Sequence, residues 1–195
     1  MSLSRQQLTL IGIFALFLGP VLLVILMRSA WWQYQPGGLK NQGLLVQPPV
    51  QLPLKPIPSV EGKWSILYVL DQPCQQVCIE NVTALRQIHR ATGRNREHLA
   101  IVLLSESQVD ADLQVRLESI YPEFTLVTDP DGTGLKTLAV VNSNLAGDAS
   151  VPGNMNTYVM DPMINVILAY EVDTNPADIH KDLKRLLKWS EKESR

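Results

Sequence analysis

The sequence predicts an α/β domain held behind one N-terminal membrane helix. Three observations predict it: an uncharged apolar run over residues 8–27, a later alternation of short apolar runs with helical stripes, and a lone cysteine pair, Cys74 and Cys78, between the first such run and the first such stripe. At 195 residues the chain has room for one anchor and one domain of ordinary size. Its 17 basic and 19 acidic residues are interspersed, leaving no basic footprint for nucleic acid.

Twenty helical residues span roughly 30 Å, the thickness of a bilayer's hydrocarbon core. Gly19 and Pro20 interrupt the run, and membrane helices tolerate such breaks with a kink. The run exceeds a signal-peptide core, and Met27-Arg28-Ser29-Ala30 is a poor cleavage site, so an uncleaved anchor is expected. Trp31, Trp32 and Tyr34 mark the exit at headgroup level. Arg5 on one side is nearly balanced by Arg28 and Lys40 on the other. Because almost all the folding mass follows the span, the simplest topology is a single-pass inner-membrane protein with its C-terminal domain in the periplasm.

Residues 28–58 form a linker with Pro36, Pro48, Pro49, Pro53, Pro56 and Pro58, a density that disfavours helix and favours extended backbone. It is expected to end in a short edge strand over residues 52–57. The layout is thus a tail (1–7), an anchor (8–27), this linker, a domain (59–190) and a polar tail (191–195).

Within the domain, residues 64–70 are continuously apolar, as in a strand buried on both faces. Ile79, Val82, Leu85 and Ile88 recur at three-residue spacing, a helical stripe ending near Gly93. The cysteines therefore fall at a strand-to-helix turn. A strand over 99–104, a helix over 109–120 and a strand over 124–127 follow. Asp129-Pro130-Asp131-Gly132 forms a turn, 135–141 a short helix and 142–154 a polar loop. Residues 157–160 and 166–170 pair as a hairpin, and Asn175-Pro176 opens a last helix with Ile179, Leu183, Leu186 and Leu187 inward.

A parallel β-α-β-α-β half, a hairpin and a closing helix, with two cysteines opening the first helix, is the plan of the thioredoxin fold. From Trp64 through Cys74 and Cys78, and again from Tyr158 to the last helix, the chain resembles the Sco/SenC-type proteins, over roughly residues 44–189. That resemblance implies a membrane-anchored thioredoxin-fold accessory protein that assists assembly of the copper site of cytochrome c oxidase, by carrying copper or reducing cysteines. It implies a partner such as an oxidase subunit or a copper chaperone. Two departures matter. The histidine that completes the family's copper site precedes the strand at 157–160, and here Gly153 or Asn154 occupies its place; Gln75 and Gln76 replace the proline between the family's cysteines. Only Cys74 and Cys78 carry over.

A four-residue step brings both thiols to one side of a helix, where they can close a disulfide or converge on one metal ion. The helix N-terminus stabilises a thiolate, so Cys74 is the expected nucleophile and Cys78 the resolving thiol. Two thiolates suit Cu(I), whereas Cu(II) wants imidazole or oxygen donors as well. Met155 is a candidate thioether ligand and Met163 a weaker one, with core or turn filler as the commoner role of such methionines. As a mere staple the pair is poorly placed, since closing about five residues gives only ~2 kcal/mol against nearly ~5 for a hundred. Asp71 is a candidate proton acceptor in thiol exchange, with a strand-ending turn as its plainer role. Pro152 precedes the strand where thioredoxin folds set a cis-proline facing the cysteines, and equally reads as a loop proline. His89, His98 and His180 lack ligand spacing to the pair and are expected at the surface. The sequon at Asn81-Val82-Thr83 falls inside a helix and is discounted. The functional expectation is a redox or Cu(I) accessory role at Cys74/Cys78, enzymatic only as a thiol-disulfide oxidoreductase. The alternatives are a docking scaffold for oxidase assembly and a general extracytoplasmic oxidoreductase.

Overall fold

In the computed structural model, residues 5–28, 41–55, 57–146 and 154–193 are described. The chain divides into two compact units, Met1–Lys40 and Asn41–Arg195. In the first, helix α1 (Arg5–Arg28) runs for 24 residues with Pro20 inside it. Among residues whose side chains are described, no helix is long and apolar enough to cross a membrane. The span expected over residues 8–27 lies within α1, and many of its side chains fall outside that description.

The second unit is built on a six-stranded sheet. Its strands in chain order are β1 (Leu44–Gln51), β2 (Trp64–Val69), β3 (Leu99–Ser105), β4 (Phe124–Thr128), β5 (Met155–Met160) and β6 (Asn165–Glu171), arranged β1-β6-β5-β2-β3-β4. β2 pairs parallel with β3 and antiparallel with β5, so its residues have neighbours on both edges. Helices α2 (Gln76–Ala91), α3 (Ala111–Ile120), α4 (Thr133–Ala146) and α5 (Pro176–Glu193), with a short 3-10 helix at Gly93–His98, complete the unit.

Alternation along the strands divides the core in two. Ile66, Tyr68, Ile101, Leu103, Val159 and Leu168 pack with the inner stripe of α2 and with Ile179 and Leu183 of α5. Leu67, Val102, Leu104, Tyr158 and Met160 face the other way, against Leu138 and Val141 of α4. All seven residues of β3 are buried, as a strand covered on both faces requires.

The edge strand differs from the sequence expectation. It lies at Leu44–Gln51 rather than 52–57, paired antiparallel to β6 with an irregularity between Leu45 and Val50. Pro48 and Pro49 sit in that irregularity with exposed side chains, where a missing N–H costs no ladder bond. Leu52 is instead buried in the α4-side core as part of an irregular connector, so the expected linker's last residues belong to the folded unit. Helix α4 also outruns its expected range and absorbs residues 142–146. Asn142, which looked like loop, uses its amide across the fold: Nδ2 donates to the Met155 carbonyl (3.3 Å) and Oδ1 accepts from the Tyr158 hydroxyl (2.8 Å). The last helix continues to Glu193, into the expected polar tail.

Two buried polar groups hold these pieces together. Asp182 of α5, 1% exposed, accepts from the backbone N–H groups of Gln42 (2.8 Å) and Gly43 (2.9 Å) and from the Tyr170 hydroxyl (3.2 Å). It thereby fastens the segment entering β1 to the closing helix. Gly43 is needed there because a Cβ would come within 2.6 Å of the Tyr170 ring. His89, expected at the surface, is buried at 4% exposure. Its Nε2 lies 2.8 Å from the Leu99 carbonyl and so donates to it, leaving Nδ1 to accept from the Tyr121 hydroxyl at 2.8 Å. The stripe of α2 is simply wider than its aliphatic residues. His180 is half-buried, with its Nε2 enclosed, whereas His98 is exposed beside Glu97 as expected.

Replacing Asp182 by alanine leaves buried donors unpaired, and the domain is expected to lose roughly 2–4 kcal/mol in urea denaturation; an unchanged midpoint contradicts the role. Burial holds His89 below its ordinary value of 6.5, against the Leu99 bond and Glu123, which favour its charge. The unfolded chain then binds a proton that the folded one resists, so stability is full above about pH 6.5 and falls as pH drops below it. Denaturation at pH 7.5, 6 and 5 should show that fall, and His89→Gln should flatten it.

Candidate functional site

The site arises where β2 ends. Leu70 makes the last bond toward β3, its N–H to the Leu104 carbonyl (2.8 Å), and the chain turns at residues 71–75 into α2. The N-cap of α2 is Gln75, extended and with no side-chain cap, and the first turn holds no acidic residue. The positive end of the helix is therefore free to favour a thiolate.

Cys74 lies just before this cap and Cys78 at the third helical position, so the pair straddles the helix start instead of lying wholly on it. They form a disulfide, S–S 1.98 Å with Cα atoms 5.3 Å apart. The two sulfur residues are not equivalent. Cys78 is 3% exposed, packed with Tyr68, Leu70 and Val82 in the α2-side core. Cys74 is half-buried at the rim of that core and lines a cleft of about 510 Å³. Gln72 and Pro73 form the cleft's near wall, and Gln108, Val109, Asp110, Leu113 and Arg116 belong to its far side. That far side is held by Asp110, whose carboxylate caps α3 by accepting from the Leu113 N–H at 2.7 Å.

Gln72 fastens the near wall. Its Nε2 donates to the Ser105 hydroxyl and to the Ser107 carbonyl (3.3 Å), and its Oε1 accepts from the Ser107 hydroxyl (2.7 Å). Beneath the turn, burial raises the Tyr68 hydroxyl above its ordinary value, opposed by the hydrogen bond from Asn81 and aided by the charge of Asp71. Tyr68 is thus a neutral neighbour.

The other expected site residues fare differently. Asp71 is exposed and is not among the residues lining the cleft, so it reaches the pair only through the turn. Met155 takes the core-filler role of its two expected readings: it is buried in the α4-side core, on the far face of the sheet from the cysteines. A register shift between Met155 and Thr157 puts it there, where it is no ligand to the cysteine pair. Met163 is exposed at the opposite turn of the hairpin. Pro152 lies outside the described residues. Sequence reasoning missed Gln72, Ser105 and Ser107. Their polar side chains close to a buried strand end were the available signal, but their pairing across 33–35 residues was not.

Among the described residues no group of three or more His, Cys, Asp or Glu side chains converges as a metal site. The donor set is therefore two soft sulfurs. That suits low-coordinate Cu(I) after reduction and does not provide the imidazole that Cu(II) needs. The arrangement can also exchange: an accessible sulfur whose partner is buried next to a helix N-terminus directs attack to Cys74. After reduction, Cys74 is expected to react with iodoacetamide at least about tenfold faster than Cys78; equal labelling by mass spectrometry contradicts this asymmetry.

Comparison with known proteins agrees with the fold. No curated protein matches this chain. Solved structures with similar folds include apo Sco1 from Thermus thermophilus, at 16% identity and TM-score 0.50, covering 77% of this chain and 98% of that one. Copper-bound yeast Sco1 is also similar, at 16% identity and TM-score 0.50, over 66% of this chain and 80% of its own. The thioredoxin domain of a thiol-disulfide oxidoreductase from Bacteroides vulgatus shares 13% identity, with TM-score 0.45, over 77% of this chain and 99% of that one. At 16% identity the likeness to the two Sco1 structures is one of fold. The model of the transmembrane-like, thioredoxin-like, C-terminal domain family matches residues 64–190, from the first residue of β2 into α5, and the chain belongs to that family.

Proposed function

We propose that this protein is a membrane-tethered, extracytoplasmic accessory protein of cytochrome c oxidase assembly that acts by thiol-disulfide exchange at Cys74 and Cys78. The observation that carries the reading is the disulfide's asymmetry, with Cys74 in an open cleft and Cys78 in the core. A staple for stability gains nothing from such a position, whereas an exchanging pair needs one reachable sulfur and one protected resolving sulfur. The apolar run over residues 8–27 supports the tether, and the resemblance of residues 44–189 to Sco/SenC-type proteins supports the oxidase connection.

In the reduced protein the α2 N-terminus favours the Cys74 thiolate, which attacks a disulfide of the partner. Cys78, four residues on, then displaces the partner and restores the internal disulfide. Asp71, exposed at the turn, is positioned for no more than a solvent-assisted proton transfer.

Cu(I) is the second candidate, as cargo held by the two thiolates. The soft donor pair and the copper carried by the yeast neighbour favour it, but the missing histidine leaves two protein ligands among the described residues. Here too the cysteines are indispensable, so one experiment separates chemistry from docking. Full-length Cys74→Ser, Cys78→Ser protein, expressed in place of the wild type, is expected to abolish oxidase copper-site assembly; normal assembly leaves only a scaffold. Anaerobic titration of the reduced wild type against a Cu(I) chelator then separates the two chemistries. Competitive one-to-one binding supports carriage, and its absence supports exchange.

A further inference from the structure

We propose that Gln72 is the positioning residue for attack on Cys74: by locking the two walls of the cleft together it fixes how a partner's cysteine approaches the disulfide. The inference rests on the exchange reading above and goes beyond it in assigning a residue and a partner class, a polypeptide dithiol.

Gln72 is exposed, yet both ends of its amide are spent on the protein. Ordering such a side chain costs rotamer entropy that a solvent-facing glutamine does not give up. What it grips is rigid. Ser105 is the last residue of β3, fully buried; its hydroxyl donates to the Ser107 carbonyl (2.7 Å) and its own carbonyl accepts from the Asp129 N–H (2.9 Å). Two residues before Cys74, the turn is thus pinned to the central sheet. Directly after Ser107 the chain supplies Gln108, Val109 and Asp110 to the opposite wall. Both walls meet at this one amide.

The position matters because displacement at sulfur proceeds in line. A partner thiolate attacks the Cys74 sulfur as the Cys74–Cys78 bond breaks, and the electron pair leaves on Cys78, which takes a proton from water. The partner's second thiolate then attacks its own sulfur in the mixed disulfide, releasing Cys74 as thiolate. Two electrons have passed from the partner dithiol to the cysteine pair. A small thiol reaches Cys74 from many angles, whereas a cysteine inside a polypeptide enters only as the walls allow.

The test is the second-order rate of reduction of the Cys74–Cys78 disulfide in the full chain in detergent, by dithiothreitol and by an extended peptide carrying two cysteines. For Gln72→Ala the peptide rate is expected to fall about tenfold or more while the dithiothreitol rate stays within about threefold and its pH profile is unmoved. Ser107→Ala should also slow the peptide, and adding it to Gln72→Ala should cost little more, since both cut one linkage. An unchanged peptide rate, or equal changes with both thiols, overturns the positioning role and leaves exchange intact. If wild-type protein reacts with neither thiol, the exchange reading and this inference fall together.

Discussion

Burial of β2 on both faces and along both edges is the constraint on which the rest depends. A strand paired with β3 on one side and β5 on the other has no lateral exit, so its chain leaves only at the carboxyl end. There the sheet stops, backbone groups turn toward a helix N-terminus, and open α/β sheets place their chemistry for this reason. Cys74 and Cys78 occur at that point. The apolar residues that force β2 into the centre also decide that one sulfur faces the core and the other a cleft.

The central elements were legible because their signals are local. The apolar runs of β2 and β3, the three-residue stripe of α2 and the Asn175-Pro176 start of α5 follow from burial and capping within one segment. Where tertiary partners decide, the sequence was weaker. Leu44–Gln51 became the edge strand because β6 offers it a ladder, and its prolines disguised it as linker. His89 went inward because Leu99 at the start of β3 and Tyr121, 32 residues away, supply both hydrogen bonds its ring needs. Met155 kept a plausible place near the site until a register shift in β5 sent it to the other face. At the site itself the cysteines were visible from their spacing, while the grip of Gln72 on Ser105 and Ser107 required knowing which strand lies beside β2.

Two polar fastenings divide the work. Asp182 ties the chain entering β1 to α5, and so governs whether the domain holds its edge. Gln72 ties the cysteine turn to β3, and so governs the mouth of the cleft. The first is buried and satisfied, where loss of one partner is costly; the second lies at the surface, where its loss changes geometry more than stability. The chain thus keeps its sheet rigid and places its one reactive bond at the rim, with an aliphatic and tyrosine floor that adds no competing charge.

The central claim is that Cys74 and Cys78 cycle between disulfide and dithiol, and the reduction potential of the pair tests it most directly. Equilibration of the purified protein with glutathione buffers is predicted to give a midpoint in the range of exchanging proteins, about −270 to −120 mV. A midpoint below about −300 mV, typical of structural disulfides, would mark the bond as a permanent staple and contradict the account.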